Sequence, residues 1–191
     1  MCLAAEQTSS GLAIISGRGD LPRLIAEECR ATGRKYVVVE FENIPLSWAS
    51  THPVISAIFE QTGHMFERLQ KVNCLEVVMV GAMDREKIDV DKLDDKGLEL
   101  ATILAKTMKA GDDETLSSII KFFEANDFNV LAAHNVLSSL IPKTGLLTIA
   151  KPDDNDIFDT TRAAEIVDGL GRMDVGQGAV VAQGICLGLE S

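Results

Sequence analysis

Positive charge and aromatic side chains are both scarce in this sequence. Its 191 residues include 18 Lys and Arg against 29 Asp and Glu, which gives a formal net charge of −11. Aromatic residues make up 5% of the chain, with a single tryptophan. Because binding to phosphate backbones depends on clustered Lys and Arg, this composition argues against nucleic acid as a partner. It also predicts repulsion from an anionic membrane surface.

Long apolar runs, a leader segment and paired cysteines are missing as well. No stretch approaches the ~18 consecutive apolar residues of a membrane-spanning helix. The residues before Gly11 lack the basic and apolar regions of a signal peptide. The 4 cysteines form no Cys-x-x-Cys pair, and His52 and His64 share no ligand spacing, so a zinc site is not expected. We expect a soluble, cytoplasmic protein.

The hydrophobic fraction is high, at 46%, and it is mostly aliphatic. This composition suits an α/β core and argues against disorder. The length suffices for one large domain, or for one and a half ordinary ones.

The residues from Leu12 to Pro22 predict a buried strand, a glycine turn and the start of a helix. Gly17 and Gly19 permit positive φ angles and close approach of a ligand to the backbone. Asp20 is a favourable N-cap, and Pro22 suits the first helical turn. Because a helix N-terminus offers N–H groups and a positive dipole end, this stretch predicts a phosphate site.

Two other interpretations of the same stretch stay open. A Gly-x-Gly turn is often only a tight connection, and Pro22 stands where the dinucleotide fingerprint requires a third glycine. The carboxylate of Asp20 would fill part of an anion site, unless it holds a metal ion that bridges to phosphate.

A βαβ unit follows from the next apolar runs. Residues 36–39 predict a second buried strand after a helix that Gly33 ends, and residues 76–80 predict another strand before Gly81. We therefore expect an α/β fold, a Rossmann-like and mostly parallel sheet with helices on both faces. Gly17, Glu40 and Gly81 would lie at the carboxyl edge of this sheet, where ligands bind in such folds.

Several polar residues beyond these strands have both a functional and a structural interpretation. Glu40 is either a ribose acceptor or a solvent-exposed carboxylate, and Arg85 is either a phosphate partner or a solvated loop residue. Asp112 and Asp113, after Gly111, suit a magnesium ion or a sugar hydroxyl but equally suit a helix cap. Trp48 lies in a predicted loop, where plugging a core edge is the favoured role.

The later chain predicts helices at residues 62–72, 98–108 and 157–170, a strand at 128–133 and a solvated acidic loop at 84–95. His134, after that strand, is either an acid, base or phosphate contact or a hydrogen-bonded structural residue. A change in composition near residue 140 predicts a Rossmann-like domain over 1–140 and the start of a second α/β domain over 141–191.

The motifs together resemble those of the LpxI type of UDP-2,3-diacylglucosamine pyrophosphatases of lipid A biosynthesis. The most specific one is Asp174-Val175-Gly176-Gln177-Gly178-Ala179-Val180-Val181, which is long and unusual. The other matching positions are 12–22, 111–113, 133–134, Pro142 with Gly145, 170–172 and Glu190.

The resemblance implies a magnesium-assisted hydrolase that cleaves UDP-2,3-diacylglucosamine to UMP and 2,3-diacylglucosamine 1-phosphate, on the way to lipopolysaccharide. It implies a UDP-linked lipid substrate, peripheral contact with the inner membrane face through that lipid, and a homodimer. Asp174 is the candidate metal ligand. The residues expected near substrate are Gly17, Arg18, Gly19, Asp20, Gly81, Asp112, Asp113, Gln177 and Gly178.

One departure bears on activity. Members of the family carry the catalytic aspartate in a Gly-Thr-Asp motif that these 191 residues do not contain. We therefore assign no catalytic residue, expect a C-terminally truncated chain, and expect weak or no hydrolysis by this chain alone. Two competing functions are an NAD-dependent oxidoreductase, favoured by the βαβ opening and Glu40, and a non-catalytic nucleotide-sugar binding module.

Overall fold

The computed structural model describes residues 10–83, 88–107 and 112–190, without the side chains of residues 112 and 113. The chain divides into two compact units, and the main division falls between Pro142 and Lys143.

The first unit is built on a five-stranded parallel sheet, which confirms the predicted fold class. The strand order is β3-β2-β1-β4-β5. The strands are β1 (Leu12–Ser16), β2 (Tyr36–Phe41), β3 (Val54–Ala57), β4 (Glu76–Val80) and β5 (Asn129–Val130). The central strand β1 is buried at all 5 of its residues, as the continuous apolar run predicts for a strand covered on both faces.

Helices surround this sheet. They are α1 (Leu21–Thr32), α2 (Thr62–Lys71), α3 (Asp95–Thr107), α4 (Asp112–Glu124) and α5 (Ala133–Val136). Short 3-10 turns lie at residues 49–51, 90–92 and 138–140. Phe66 of α2 packs against an aromatic cluster of Phe122, Phe123 and Phe128, with ring centroids 4.7 to 5.7 Å away. Since α1 joins β1 to β2 and α2 returns from β3 to β4, right-handed crossovers place them on opposite faces.

The ends of α1 follow the sequence prediction only in part. Gly33 adopts the left-handed conformation, with φ 70°, and ends the helix as predicted. Asp20 occupies the predicted N-cap position, but its side chain makes no capping hydrogen bond. The prediction is therefore right about the position and wrong about the side-chain interaction. Leu24, an apolar residue of this helix, is 40% exposed.

The predicted acidic loop has a structural function that its composition did not indicate. The carboxylate of Asp94 accepts one hydrogen bond from the N–H of Gly97 at 2.7 Å and another from the N–H of His64 at 3.0 Å. One side chain thus satisfies amides in the first turns of both α3 and α2. The strand predicted at 128–133 shrinks to β5, because α5 begins at Ala133.

The second unit contains a helix and a hairpin. Helix α6 (Asp154–Arg172) is longer than predicted, because Asp153 and Asp156 form a capping box before the apolar residues begin. Strands β6 (Gly178–Ala182) and β7 (Ile185–Glu190) pair antiparallel. Among the described residues, no helix is long and apolar enough to cross a membrane.

Candidate functional site

The chain segments that leave β1 and β4 are joined by backbone hydrogen bonds beyond the ends of both strands. Gly17 N–H donates to the carbonyl of Val80 at 2.8 Å. Arg18 and Ala82 then form an antiparallel bridge, with N···O distances of 2.8 and 3.0 Å. This pairing lies at the carboxyl edge of the sheet, where the strand order reverses.

Two of the predicted site glycines permit this close approach. A Cβ atom at Gly17 would lie 2.5 Å from the carbonyl oxygen of Ala82, and one at Gly81 would lie 2.6 Å from that of Arg18. Real Cβ atoms essentially never come so near to backbone oxygen. Gly17 and Gly81 are therefore required by the packing of the chain against itself.

Gly19 and Asp20 differ from these two glycines, because both face open space. Gly19 has φ 101°, a conformation that favours glycine, and no heavy atom lies within 4 Å of its added Cβ. The side chain of Asp20 is 86% exposed and approaches Arg23 at 3.7 Å. The start of α1 is thus accessible at the point where the sequence predicts phosphate.

A cleft of about 400 Å³ opens beside Gly19. We call it the β1–β2 cleft, because the segments that follow these two strands form it. Its walls are Arg18, Gly19, Asn43, Ile44, Pro45, Leu46, Ser47 and Trp48. This volume lies within the ~300–1,000 Å³ typical of small-molecule sites, and the walls combine apolar, amide, hydroxyl and cationic groups.

Glu40 holds one wall of this cleft in place. Its Oε1 accepts a hydrogen bond from the backbone N–H of Leu46 at 2.6 Å. The N–H of Ile44 donates to the carbonyl of Phe41 at 2.9 Å, which turns the chain sharply after β2. Glu40 thus anchors a loop, a role that differs from both sequence interpretations, the ribose acceptor and the solvent-exposed carboxylate.

The ring of Trp48 packs against His52, which in turn contacts Tyr36 and Arg30. The ring of His52 lies 5.5 Å from that of Trp48, with the planes at 83°. His52 Nδ1 is 2.6 Å from the Tyr36 hydroxyl, and its Nε2 is 2.6 Å from Arg30 Nη2. Since an arginine can only donate, Nε2 accepts, and Nδ1–H donates to Tyr36. Burial and the charge of Arg30 lower the pKa of His52, while Glu27 opposes this weakly.

Sequence reasoning missed this arrangement around His52. The available signal is a tryptophan in the loop between two strands, whereas the lack of a shared ligand spacing at His52 argues only against a zinc site. Trp48 is half-buried and packs against the core, as a plug would, and it also lines the cleft.

A second cleft lies along the same sheet edge, beyond β2 and β3. It measures about 200 Å³. Its walls are Glu42, Ser56, Ala57, Ile58, Gln61, His64, Met65 and Arg68. None of these positions was a sequence-predicted site residue.

Three predicted site residues lie beyond Lys143, in the second unit. Gln177 N–H donates to the carbonyl of Glu190 at 3.2 Å, and Gly178 pairs with Glu190 in the hairpin. Asp174 has φ 53° and donates its N–H to the carbonyl of Gly171 at 3.1 Å, just past the end of α6. The backbone of this motif is therefore organised as a helix end that leads into a hairpin.

The structure describes the remaining candidate residues only in part. Asp112 and Asp113 begin α4, and their side chains lie outside the described residues, as do Gly111 and Arg85. His134 is exposed in α5. Within the described ranges, no three His, Cys, Asp or Glu side chains cluster in a way that could hold a metal ion.

Comparison with known proteins identifies the family to which this chain is similar. The family model for the LpxI N-terminal domain matches residues 11–140, and that for the LpxI C-terminal domain matches residues 143–191. The chain is also similar to the UDP-2,3-diacylglucosamine pyrophosphatase LpxI of Caulobacter vibrioides. The two are 28% identical over 180 residues, which span 94% of this chain and 64% of that relative.

Proposed function

The chain belongs to the LpxI family, and we propose that it acts on UDP-2,3-diacylglucosamine in lipid A biosynthesis. The reaction is hydrolysis of the pyrophosphate bond, with UMP and 2,3-diacylglucosamine 1-phosphate as products. The observation that carries this proposal is the match of both LpxI domain models, which together cover nearly all of residues 11–191.

The first unit suits the nucleotide part of such a substrate. Gly19 and the exposed start of α1 offer backbone N–H groups to a phosphate, since Asp20 does not cap the helix. Arg18 borders the same space and supplies a cation in an otherwise acidic chain. Such aimed groups are needed because a net charge of −11 gives no general attraction for a diphosphate.

Magnesium is part of the proposal. Magnesium is usually held by one or two carboxylates together with substrate phosphates, so a pre-formed cluster of acids is not required. Asp20 fits this pattern, because its carboxylate is exposed beside the proposed phosphate position. Asp174 is the candidate ligand in the second unit. When bound, the metal ion would neutralise charge that develops on the diphosphate.

We assign no catalytic residue among these 191, and we propose that hydrolysis by this chain alone is weak or absent. Peripheral contact with the inner membrane face through the acyl chains, and a homodimer, remain part of the proposal. An NAD-dependent oxidoreductase receives less support, because one oxygen of Glu40 is already bonded to Leu46 N–H.

The test is incubation of the purified chain with UDP-2,3-diacylglucosamine and Mg²⁺, with bound substrate and released UMP measured separately. We expect saturable substrate binding that EDTA weakens, with little release. UMP release that is easily measured above the uncatalysed rate would contradict the proposed weak hydrolysis, and it would exclude a non-catalytic nucleotide-sugar binding module. Absence of substrate binding would contradict the proposal.

A further inference from the structure

The β1–β2 cleft differs from the second cleft in having an aromatic wall. Trp48 lines it, together with Ile44, Pro45 and Leu46, of which Ile44 and Leu46 are buried. The second cleft is half the volume, and no Trp, Tyr or Phe is among its described lining residues. An aromatic surface of this kind favours a flat, unsaturated ring as its ligand, because stacked rings gain more than burial alone.

Trp48 is held in position before any ligand arrives. The ring of His52 contacts it edge to face, and His52 is fixed in turn by hydrogen bonds to Tyr36 and Arg30. The Glu40–Leu46 hydrogen bond also fixes the loop that leads to Trp48. A pre-positioned ring loses little conformational entropy on binding, which favours its use as a recognition surface.

The polar groups of the cleft match the edge and the tail of a nucleotide. Asn43 and Ser47 carry an amide and a hydroxyl, groups that can donate to and accept from the edge of a base. Arg18 and Gly19 lie in the same cleft and lead to the start of α1, where an anion is favoured. The same cleft therefore combines an aromatic wall, hydrogen-bonding groups, a cation and an open helix end.

We propose that the β1–β2 cleft is a nucleobase subsite in which Trp48 stacks on the base while the phosphates point towards Arg18 and Gly19. The ligand class is a nucleoside phosphate; its identity as a uridine nucleotide rests on the proposed function. Nothing in the family comparisons assigns this role to Trp48.

Trp48 also provides the measurement, because it is the chain's single tryptophan. Titration of the full chain with UMP should change Trp48 fluorescence saturably. Ribose 5-phosphate, which carries the phosphate without the base, should leave the fluorescence nearly unchanged. In calorimetry, Trp48→Ala should weaken UMP binding about 10-fold or more, the usual cost of losing a stacked aromatic partner, and Trp48→Phe should restore most of the affinity.

A matched control is His64→Ala, which alters the second cleft and should leave UMP binding unchanged. Because Trp48 packs on the core, circular dichroism must show that Trp48→Ala is folded. If Trp48→Ala is not folded, the wild-type titrations with UMP and with ribose 5-phosphate test the proposal instead. UMP binding that leaves Trp48 fluorescence unchanged would overturn this inference but not the proposed function. Absence of UMP binding would also overturn it, whereas the proposed function is judged separately by binding of the lipid-linked substrate.

Discussion

Arg18 and Ala82 donate a backbone hydrogen bond to each other, at 2.8 and 3.0 Å, beyond the ends of β1 and β4. In open α/β sheets the strand order reverses between two such strands, and the crevice there commonly receives the ligand. In this chain, backbone hydrogen bonds at residues 17–18 and 80–82 join the two segments. A cleft opens in the neighbouring gap, between the segments that follow β1 and β2.

The first prediction concerns the glycines that permit this bridge. Gly17→Ala and Gly81→Ala should each lower the free energy of unfolding by about 2 kcal/mol, because the new Cβ would force backbone apart. Urea unfolding followed by circular dichroism measures this effect.

Gly169→Ala is the matched control for these two variants. Gly169 lies within α6, and no heavy atom lies within 4 Å of its added Cβ. Since alanine is the better helix former by about 1 kcal/mol, this variant should be as stable as the wild type or more stable. Equal stability of all three variants would contradict a packing role for Gly17 and Gly81.

The second prediction concerns Asp94, which links the first turns of α2 and α3. Asp94→Ala removes acceptors for both His64 N–H and Gly97 N–H, and should destabilise the protein by about 2 kcal/mol. Asp94→Asn retains one carbonyl acceptor and should cost less. Asp91→Ala, an exposed acid three residues earlier, serves as the control and should change the stability by less than about 0.5 kcal/mol.

The third prediction concerns pH. The pKa of His52 is lowered in the folded chain, so the unfolded chain binds the proton more readily. Stability contributed by neutral His52 is complete above about pH 6.5, and it is lost as the pH falls towards the lower folded-state pKa. His52→Gln should therefore make the decline in unfolding free energy below that pH shallower.

His64→Gln is the comparison for this pH effect, because His64 lines the second cleft, whereas His52 packs on Trp48. It should reproduce the wild-type pH dependence. An unchanged slope in His52→Gln would show that protonation of His52 does not matter to stability.

The fourth prediction concerns Glu40, which anchors the loop that leads to Trp48. Glu40→Ala leaves the N–H of Leu46 without its acceptor, and should weaken UMP binding several-fold by loosening one wall of the cleft. Glu40→Gln keeps an acceptor oxygen and should bind nearly as well as the wild type. Glu42→Ala, an exposed neighbour, is the control. If Glu40→Gln were as impaired as Glu40→Ala, the charge rather than the anchor would be responsible.

The core of the first unit was accessible to sequence reasoning because its signals are local. The apolar runs at 12–15, 36–39 and 76–80 became the three adjacent central strands. Gly33 ended α1 because a left-handed residue is needed there, and glycine adopts that conformation without strain. Each of these inferences needed only a few consecutive residues.

The features that sequence reasoning did not predict depend on contacts between residues far apart in the chain. Asp94 reaches His64 across 30 positions, and His52 meets Arg30 across 22, so neither partner is visible in a local pattern. The sequence pattern leaves the glycine turn open as a phosphate site or as a tight connection. The structure assigns Gly17 to backbone packing, because its neighbour in space is Gly81, 64 positions away.

The most direct test of the account is a pair of calorimetric titrations of the full chain in Mg²⁺, one with UMP and one with NAD. The account predicts saturable binding of UMP and none of NAD at the same concentration. Binding of NAD without binding of UMP would contradict it and would favour the oxidoreductase.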